Sequence, residues 1–451
     1  MNKCVSPFVF IMLAVLLAFT SVLSPAAGAA APGSEPNSAP AAAEKPSAKA
    51  KQKEPPEAGP GTPPRISAQS AALIDVESGR ILYAKNSKQP MRIASLTKIM
   101  TAIVAIEQGK LSDMVKVSRN AAGKEGSSIY LKVDEEMSLQ NLLFGLMLRS
   151  GNDAATAIAE HVGGSVEGFA VLMNQKAQFI GMKNSEFQNP HGLDQDGHLS
   201  TAEDMALLTA YALKNPVFLD IVKTKEKRVP NPGGQWDHVW KNKNKMLSLY
   251  DGANGVKTGY TKTAGRCLVS SAARDGRELA VVTLGDPDDW LDHSQLLDYG
   301  FQTFQRTEMI QKGDSVLVDR TAYAQLLEPA DTHASPGQPP KLAAVRGFAY
   351  PLLPGEQEKI TRRILLTPPG SPAYRLEERG LLELELDGVQ IGTVPLAEPG
   401  SWRMQWKPRS VFSFQASQSA QTWRERYAGV VEQVLRVLFT VIYNPLGRDQ
   451  T

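Results

Sequence analysis

The spacing of apolar residues divides the chain into segments of different kinds, beginning with a leader. Residues 8–19 are apolar without interruption, Lys3 precedes this run, and Ala27-Gly28-Ala29 follows it. This order predicts a cleavable secretory signal peptide over residues 1–29. An uncleaved anchor is disfavoured, because a spanning helix needs about 20 apolar residues. Residues 30–64 hold nine prolines and no Ile, Leu, Val, Met or aromatic residue, which predicts a disordered tether rich in Pro, Ala and Lys.

Strand and helix periodicities both occur over residues 65–308. Short apolar runs between turn residues predict strands at 71–75, 81–85, 255–260, 268–273 and 279–284. Helical spacing predicts helices at 95–106, 139–148, 153–161 and 290–304. The first helix is apolar on nearly every face and is closed by Gly109, so we expect it to be buried at the centre of a domain. Strands at both ends with helices between them predict an α+β domain.

The pattern changes again after residue 308. Alternating runs predict strands at 315–319, 363–367 and 382–386, and Asp387-Gly388 predicts a hairpin after the last of them. Residues 309–405 should therefore form a small β-rich domain.

Residues 406–451 are predicted to be a linker followed by an amphipathic helix. Between residues 421 and 443 the apolar side chains fall on one broad face, with Glu432 and Arg436 opposite. These charges argue against a spanning helix and favour one that lies in the membrane interface. A helix docked on its own domain is the alternative. With the signal peptide, this pattern predicts an exported protein held at the outer face of the cytoplasmic membrane.

Composition narrows the range of functions. The chain has 451 residues, is 42% hydrophobic, and carries 49 basic against 47 acidic residues, with no basic block. Nucleic acid is therefore excluded as a partner. The two cysteines are Cys4 and Cys267. Cys4 precedes the apolar core of the leader, so lipid attachment there is disfavoured and the mature chain would keep one thiol and no internal disulfide.

Three short motifs carry candidate chemistry: Ser95-x-x-Lys98, Ser150-Gly151-Asn152 and Lys257-Thr258-Gly259. Positions three apart share a helix face, so Lys98 can approach the Ser95 hydroxyl as a base once burial and a neighbouring cation lower its pKa. Ser150 offers a hydroxyl for proton relay and Asn152 an amide for a substrate peptide group. Lys257 offers a charge for a substrate carboxylate, and Gly259 lets a peptide lie along the strand edge. The three motifs together predict acyl transfer from a peptide with a free carboxyl end.

In this order the motifs resemble those of the penicillin-recognising serine enzymes. The sequence around the motifs is similar to one branch of these enzymes, the low-molecular-mass penicillin-binding proteins that are serine-type D-alanyl-D-alanine carboxypeptidases. The blocks that carry the resemblance are 94–101, 126–128, 148–155, 189–193 and 252–261.

The resemblance implies a β-lactamase/transpeptidase-like fold, an antiparallel sheet with a helical cluster, over residues 65–308. It implies hydrolysis of the terminal D-Ala-D-Ala bond of peptidoglycan stem peptides, which trims cross-linking of the wall, and acylation by penicillins and other β-lactam antibiotics, with no cofactor or metal. The roles that it implies are nucleophile (Ser95), general base (Lys98), proton relay (Ser150), substrate-orienting amide (Asn152), carboxylate-binding pair (Lys257 and Thr258) and, through backbone N–H groups, oxyanion hole (Ser95 and Tyr260). Tyr260 departs from those members that have histidine at this position.

The sequence also suggests three alternative functions, each of which its residues disfavour. A class A β-lactamase would need a glutamate in an E-x-x-x-N loop, whereas Asn189 follows Glu186 at three residues. A zinc peptidase is suggested by His191, Asp194, Asp196 and His198, whose spacing matches no H-E-x-x-H helix. A non-catalytic wall-binding protein is not supported, because every motif side chain needed for acylation is present.

Overall fold

The computed structural model describes residues 61–230, 237–319 and 341–405. Its strands are β1 (Ser70–Asp75), β2 (Ile81–Lys85), β3 (Met114–Lys116), β4 (Glu136–Ser138), β5 (Glu226–Val229), β6 (His238–Lys241), β7 (Ala253–Thr261), β8 (Gly265–Arg274), β9 (Arg277–Leu284), β10 (Gln305–Ile310), β11 (Ser315–Val316), β12 (Leu342–Ala344), β13 (Phe348–Leu352), β14 (Ile360–Leu366), β15 (Gly380–Leu386) and β16 (Val389–Ala397). Its helices are α1 (Lys98–Gln108), α2 (Leu139–Phe144), α3 (Asn152–Gly163), α4 (Val166–Ile180), α5 (Ala202–Leu213), α6 (Pro216–Lys223), α7 (Met246–Leu249), α8 (Asp289–Thr303), α9 (Pro372–Arg375) and α10 (Trp402–Gln405). The predicted signal peptide, most of the tether and the amphipathic helix at 421–443 lie outside the described residues.

A five-stranded antiparallel sheet, in the order β2-β1-β9-β8-β7, organises the first part of this region. All six residues of β1 are buried. Alternate residues of this strand enter two different cores, Ala72 and Ile74 on one face and Ala71 and Leu73 on the other. The sheet therefore separates two apolar layers, one containing α8 and the other the helical cluster around α1. This arrangement confirms the predicted α+β class.

Helix α1 is buried from Lys98 to Ala105 and packs against α3, α4 and α5. The prediction of a buried central helix is confirmed, but its predicted start at Ser95 is wrong. Residues Ala94–Thr97 form a separate 3-10 turn, and Ala94 has a φ of +46°. A 3-10 turn bonds each N–H three rather than four residues back, so the regular α-helix begins only at Lys98.

The predicted helix at 139–148 is also divided in the structure. Helix α2 ends at Phe144 and a π-helical turn follows over Gly145–Arg149, after which Ser150 adopts a φ of +65°. Such turns insert an extra residue into the helical repeat and change the direction of the chain that follows. Helix α3 then begins at Asn152, close to the predicted start.

Three helices of the cluster were not predicted, although each begins with a recognisable cap. Ser165, Thr201 and Asn215 accept hydrogen bonds from the first turns of α4, α5 and α6. Pro216 at the first position of α6 is a further start signal. The described part of the chain contains no single helix that is long and apolar enough to cross a bilayer; the pair formed by α5 and α6 reaches that length and hydropathy only jointly, across a bend of 104°.

The second sheet has the order β11-β12-β16-β15-β14 and is antiparallel. The predicted hairpin is present, because Leu386 pairs with Val389 across Asp387 and Gly388. The strand predicted at 315–319 covers only Ser315–Val316. Strand β10 crosses the predicted boundary at residue 308 and pairs with β13.

A bidentate ion pair joins the second region to the first. The Arg80 guanidinium donates to both carboxylate oxygens of Glu356, at 2.8 and 2.7 Å, and also to the Pro351 carbonyl oxygen. It lies over the rings of Phe304 and Tyr350, each 5.3 Å from the ring centroid. The β-rich region is therefore held against the β1–β2 hairpin.

Candidate active site

The 3-10 turn at Ala94–Thr97 presents Ser95 at the N-terminal end of α1, against the edge strand β7. A Cβ atom at Gly259 would lie 3.2 Å from the Ser95 nitrogen and 3.2 Å from the Ile93 carbonyl oxygen. Glycine at this position lets β7 run directly beside the turn. The first and third motifs therefore meet at one place.

A buried histidine supports this turn from behind. The Thr97 hydroxyl donates to the Ala94 carbonyl oxygen at 2.9 Å and lies 2.8 Å from His198 Nε2. The Gln188 N–H donates to His198 Nδ1 at 3.0 Å, so the ring proton is on Nε2, which donates to the Thr97 hydroxyl. Burial and, after it, the charge of Arg92 lower the pKa of His198 to about 4. The ring is therefore neutral at neutral pH.

Lys98 is fully buried one turn away from Ser95. Its Nζ atom lies 3.1 Å from Ser95 Oγ, 2.7 Å from Asn152 Oδ1 and 2.6 Å from the His191 carbonyl oxygen. Burial, followed by the charges of Lys257 and Lys243, holds the pKa of Lys98 well below its usual value of 10.5. The amine is thus in contact with a hydroxyl from which it can accept a proton.

The second motif faces the same pair. Ser150 follows the π-helical turn, and its hydroxyl oxygen is buried without a hydrogen-bond partner among the described residues. Asn152 is 3% exposed, and its Nδ2 donates to the Glu125 carbonyl oxygen at 2.6 Å. Both ends of this amide are therefore bonded to protein atoms. The expected role in holding a substrate peptide group would require one of these bonds to open.

Asp153, to which the sequence assigned no role, orders the loop in front of Asn152. Its carboxylate accepts hydrogen bonds from the Ser128 hydroxyl at 2.6 Å and from the backbone N–H groups of Ile129 and Leu131 at 3.1 Å. The Asn152 N–H donates to the Ser127 carbonyl oxygen at 2.7 Å. The sequence signal for such a role is an acidic residue that directly follows a motif, in the first turn of a helix.

The third motif lies on β7, the edge strand of the sheet. Lys257 is 1% exposed, its Nζ donates to the Thr258 carbonyl oxygen at 2.8 Å, and burial followed by the Lys243 charge lowers its pKa to about 7. Tyr260 is 66% exposed. Alternation along a strand places Lys257 on one face of β7 and Thr258 and Tyr260 on the other.

One cleft of about 560 Å³ joins residues from all three motifs. It is lined by Ser95, Ser127, Ser150, Lys243, Thr258, Gly259, Tyr260, Arg266, Cys267, Asp289 and Trp290. Lys243, Arg266 and Asp289 were not predicted. They come from segments without a motif, and only the fold brings them to the cleft.

The residues that suggested a β-lactamase or a zinc peptidase bind groups outside the cleft or do not form a metal site. Glu186 is exposed and accepts a hydrogen bond from Gln188 at 2.6 Å, away from the residues that line the cleft. Asp194 accepts hydrogen bonds from Thr261 and Thr263. Within residues 61–230, 237–319 and 341–405, no group of three or more His, Cys, Asp or Glu side chains could hold a metal ion.

Cys267 is buried and is one of the residues that line the cleft. Burial raises the pKa of its thiol to about 11. The thiol is therefore protonated at neutral pH and is not activated as a nucleophile.

Comparison with known proteins identifies the family whose fold and site this chain shares. A family model for D-alanyl-D-alanine carboxypeptidases, peptidase family S11, matches residues 57–288. The chain is 37% identical over 258 residues to the D-alanyl-D-alanine carboxypeptidase DacF of Bacillus subtilis, covering 55% of this chain and 66% of that protein. It is 32% identical over 356 residues to DacA of Haemophilus influenzae, covering 74% and 85%. The solved structure of penicillin binding protein 5 from Haemophilus influenzae aligns with a TM-score of 0.61 at 29% identity, over 74% of this chain and 97% of that one.

These findings define the class as a penicillin-binding serine enzyme of low molecular mass. The chain belongs to the D-alanyl-D-alanine carboxypeptidase family S11, which confirms the predicted family and the serine-type carboxypeptidase activity.

Proposed function

We propose that Ser95 attacks the carbonyl carbon of the penultimate D-alanine of a peptidoglycan stem peptide. The terminal D-alanine leaves, and the rest of the peptide stays on Ser95 Oγ as an ester, which water then hydrolyses. The observation that carries this proposal is the 3.1 Å contact between Ser95 Oγ and the buried Lys98 Nζ.

The surroundings of Lys98 suit a neutral amine that acts as a base. A neutral amine has two N–H groups, and Asn152 Oδ1 and the His191 carbonyl oxygen provide one acceptor for each. Its lone pair is then free to accept the proton of Ser95 O–H as the oxygen attacks. Two acceptors thus orient the base without holding it in the charged form.

Ser150 is suited to return the proton to the leaving amine. Its buried hydroxyl has no other partner among the described residues and lines the same cleft as Ser95. The backbone N–H groups of Ser95 and Tyr260 would stabilise the oxyanion of the tetrahedral intermediate. The close approach of Gly259 to the Ser95 nitrogen supports this assignment.

The free carboxylate of the substrate is assigned to Thr258 and Lys257, and the peptide to the edge of β7, where a strand can be added. A penicillin carries a carboxylate in the same relation to its strained amide. It would therefore acylate Ser95 by the same route and inhibit the enzyme.

We also propose that the protein acts outside the cell membrane. The support is the leader at residues 1–29, the tether at 30–64 and the amphipathic pattern at 421–443. The catalytic region would then be exported and held at the membrane surface by its C-terminal helix.

A covalent adduct tests the catalytic proposal. Purified protein incubated with labelled penicillin should carry the label on the peptide that contains Ser95, and should release D-alanine from a peptide that ends in D-Ala-D-Ala. The Ser95→Ala and Lys98→Ala variants should form no adduct, whereas Ser248→Ala, an exposed serine on α7, should react like the parent. A label mapped to another residue, or Lys98→Ala acylated at the parental rate, would refute the assignment.

A further inference from the structure

The peptide group that joins Ala94 to Ser95 has two hydrogen-bonding ends. Its N–H belongs to Ser95 and is one of the two donors of the proposed oxyanion hole. Its carbonyl oxygen belongs to Ala94 and accepts a hydrogen bond from the Thr97 hydroxyl at 2.9 Å. A trans peptide group is planar and its N–H and C=O point in opposite directions, so whatever orients this carbonyl also orients the Ser95 N–H.

This peptide group depends on its surroundings for its orientation. Ala94 has a φ of +46°, a left-handed conformation that alanine seldom adopts. Such a backbone persists only when neighbouring groups hold it. Gly192 packs directly against the same carbonyl, since a Cβ atom at this glycine would overlap with it. The hydrogen bond from Thr97 therefore acts on a strained and tightly enclosed peptide group.

His198 in turn orients the Thr97 hydroxyl. The Gln188 N–H donates to His198 Nδ1 at 3.0 Å, so Nε2 carries the ring proton and donates to Thr97 Oγ1 across 2.8 Å. With its lone pair occupied in this way, the hydroxyl donates to the Ala94 carbonyl oxygen. Ala94, Thr97 and His198 are all buried, so water does not compete for these bonds.

The bonds form a chain with one direction, from the Gln188 N–H through His198 and Thr97 to the peptide group that ends in the Ser95 N–H. Hydrogen bonds in series polarise one another, and the effect is greatest where water is excluded. The chain therefore makes the Ser95 N–H a stronger donor as well as a better aligned one.

We propose that Thr97 and His198 are positioning residues for the oxyanion hole, which align and strengthen the Ser95 N–H through the carbonyl group of Ala94. This inference rests on the proposed function, because it takes that N–H as a donor to the tetrahedral intermediate. Neither Thr97 nor His198 lines the cleft, so neither would touch the substrate. Negative charge develops on the substrate oxygen only as Ser95 attacks, so the chain should affect acylation and not initial binding.

Saturation kinetics with benzylpenicillin separate these two steps. The dissociation constant of the initial complex and the acylation rate constant would be measured in the parent, in Thr97→Val and in Thr97→Ser. Loss of a whole oxyanion-hole donor costs about a hundredfold to a thousandfold, so Thr97→Val, which only releases the peptide group, should lower the acylation rate constant by roughly tenfold. The dissociation constant should not change. Thr97→Ser keeps the hydroxyl and should recover most of the rate.

Two variants of the histidine test the next bond of the chain. His198→Leu removes the N–H that holds Thr97 and should lower the acylation rate constant as Thr97→Val does. His198→Gln has an amide that can supply this N–H, so it should lose less.

The infrared carbonyl band of the penicillin adduct on Ser95 reports on the oxyanion hole directly. Hydrogen bonds to an ester carbonyl oxygen weaken its C=O bond and lower its stretching frequency. The band should therefore move to higher frequency in Thr97→Val and in His198→Leu, and return towards the parental frequency in Thr97→Ser.

Thr209→Val is the matched control. The buried Thr209 hydroxyl donates to the Met205 carbonyl oxygen at 2.7 Å, a bond of the same kind in α5, none of whose residues lines the cleft. This variant should keep the parental rate constant and band.

A parental rate or an unmoved band in Thr97→Val, a loss confined to the dissociation constant, or an equal loss in Thr97→Ser would overturn the proposal. A parental rate in His198→Leu would overturn the part given to the histidine. A parent protein that forms no adduct at Ser95 would instead refute the proposed function.

Discussion

Asn152 Oδ1 accepts a hydrogen bond from Lys98 Nζ at 2.7 Å, while the other end of the same amide donates to the Glu125 carbonyl oxygen at 2.6 Å. The two bonds place Asn152 between the base and the loop that borders the cleft. An amide oxygen accepts from the amine without adding a negative charge that would favour its protonated form. Asn152 is therefore placed to orient Lys98 while leaving its pKa low.

The first prediction follows from this contact. Asn152→Asp should raise the pKa of Lys98, because an opposite charge next to an amine typically shifts its pKa by about 1–3 units toward the charged form. If Lys98 is neutral only at higher pH, the acidic limb of the profile of acylation rate against pH shifts to higher pH. The measurement is the rate of acylation by labelled penicillin against pH.

The control for this prediction is Asn120→Asp, which adds the same charge at an exposed position bonded to Glu160. It should leave the acidic limb in place because solvent screens the new charge. If Asn152→Asp kept the parental limb as well, Lys98 would not be the group that titrates.

The second prediction concerns the alkaline limb. Carboxylate recognition by Lys257 requires its protonated form, and its pKa is lowered to about 7. The second-order rate of acylation should therefore fall as pH rises through about 7. Lys257→Arg keeps its charge to far higher pH, so its alkaline limb should move upward even if its maximum rate is lower. An unmoved limb in a variant that retains parental thermal stability would assign the limb to another group.

The third prediction is about stability. Asp153→Ala removes the acceptor for the Ser128 hydroxyl and for the N–H groups of Ile129 and Leu131. Each buried donor left without a partner costs about 1–3 kcal/mol, so we expect a loss of roughly 3 kcal/mol or more in the free energy of unfolding. Ser128→Ala removes one of these bonds together with its donor. It also removes the acceptor of the Tyr130 N–H, but at this exposed position water can replace it, so the variant should cost only about 1 kcal/mol. Urea unfolding measures both, and similar losses in the two variants would contradict the role given to Asp153.

The fourth prediction concerns the proposed membrane attachment. A protein that lacks residues 421–451 should be released in soluble form and remain active, because all three motifs precede this segment. The mature full-length protein should sediment with membranes and require detergent. Fractionation followed by penicillin labelling measures both. A truncated protein that stays with the membrane would assign attachment to the leader, and a folded but inactive one would assign the tail to packing of the enzyme.

The sequence by itself determined the elements whose signals are local. Strands β1, β8 and β9 are visible as short apolar runs between turn residues, and α8 as a helical spacing, because each of these signals lies within its own segment. The three motifs and their order were sufficient to indicate the family, which the comparisons confirm.

Only the structure shows where the predicted helices are interrupted by other kinds of turn. The 3-10 turn at Ala94–Thr97 and the π-helical turn at Gly145–Arg149 read as continuous helix in the sequence. Their backbone is decided by contacts with distant parts of the chain. At Gly192, for instance, a Cβ atom would overlap with the Ala94 carbonyl group, so the two segments can pack together only with glycine there.

The chemistry of the site depended on tertiary structure most of all. The motif gives the spacing of Ser95 and Lys98, but the acceptors that orient Lys98 lie 54 and 93 residues away, on Asn152 and His191. The low pKa of Lys98 arises mainly from burial, to which many segments contribute at once. The position of Arg266 opposite Tyr260 likewise follows from the register of two strands. Spacing along a chain specifies which groups are neighbours in a helix or strand, whereas desolvation and cross-strand contact exist only after the segments have packed.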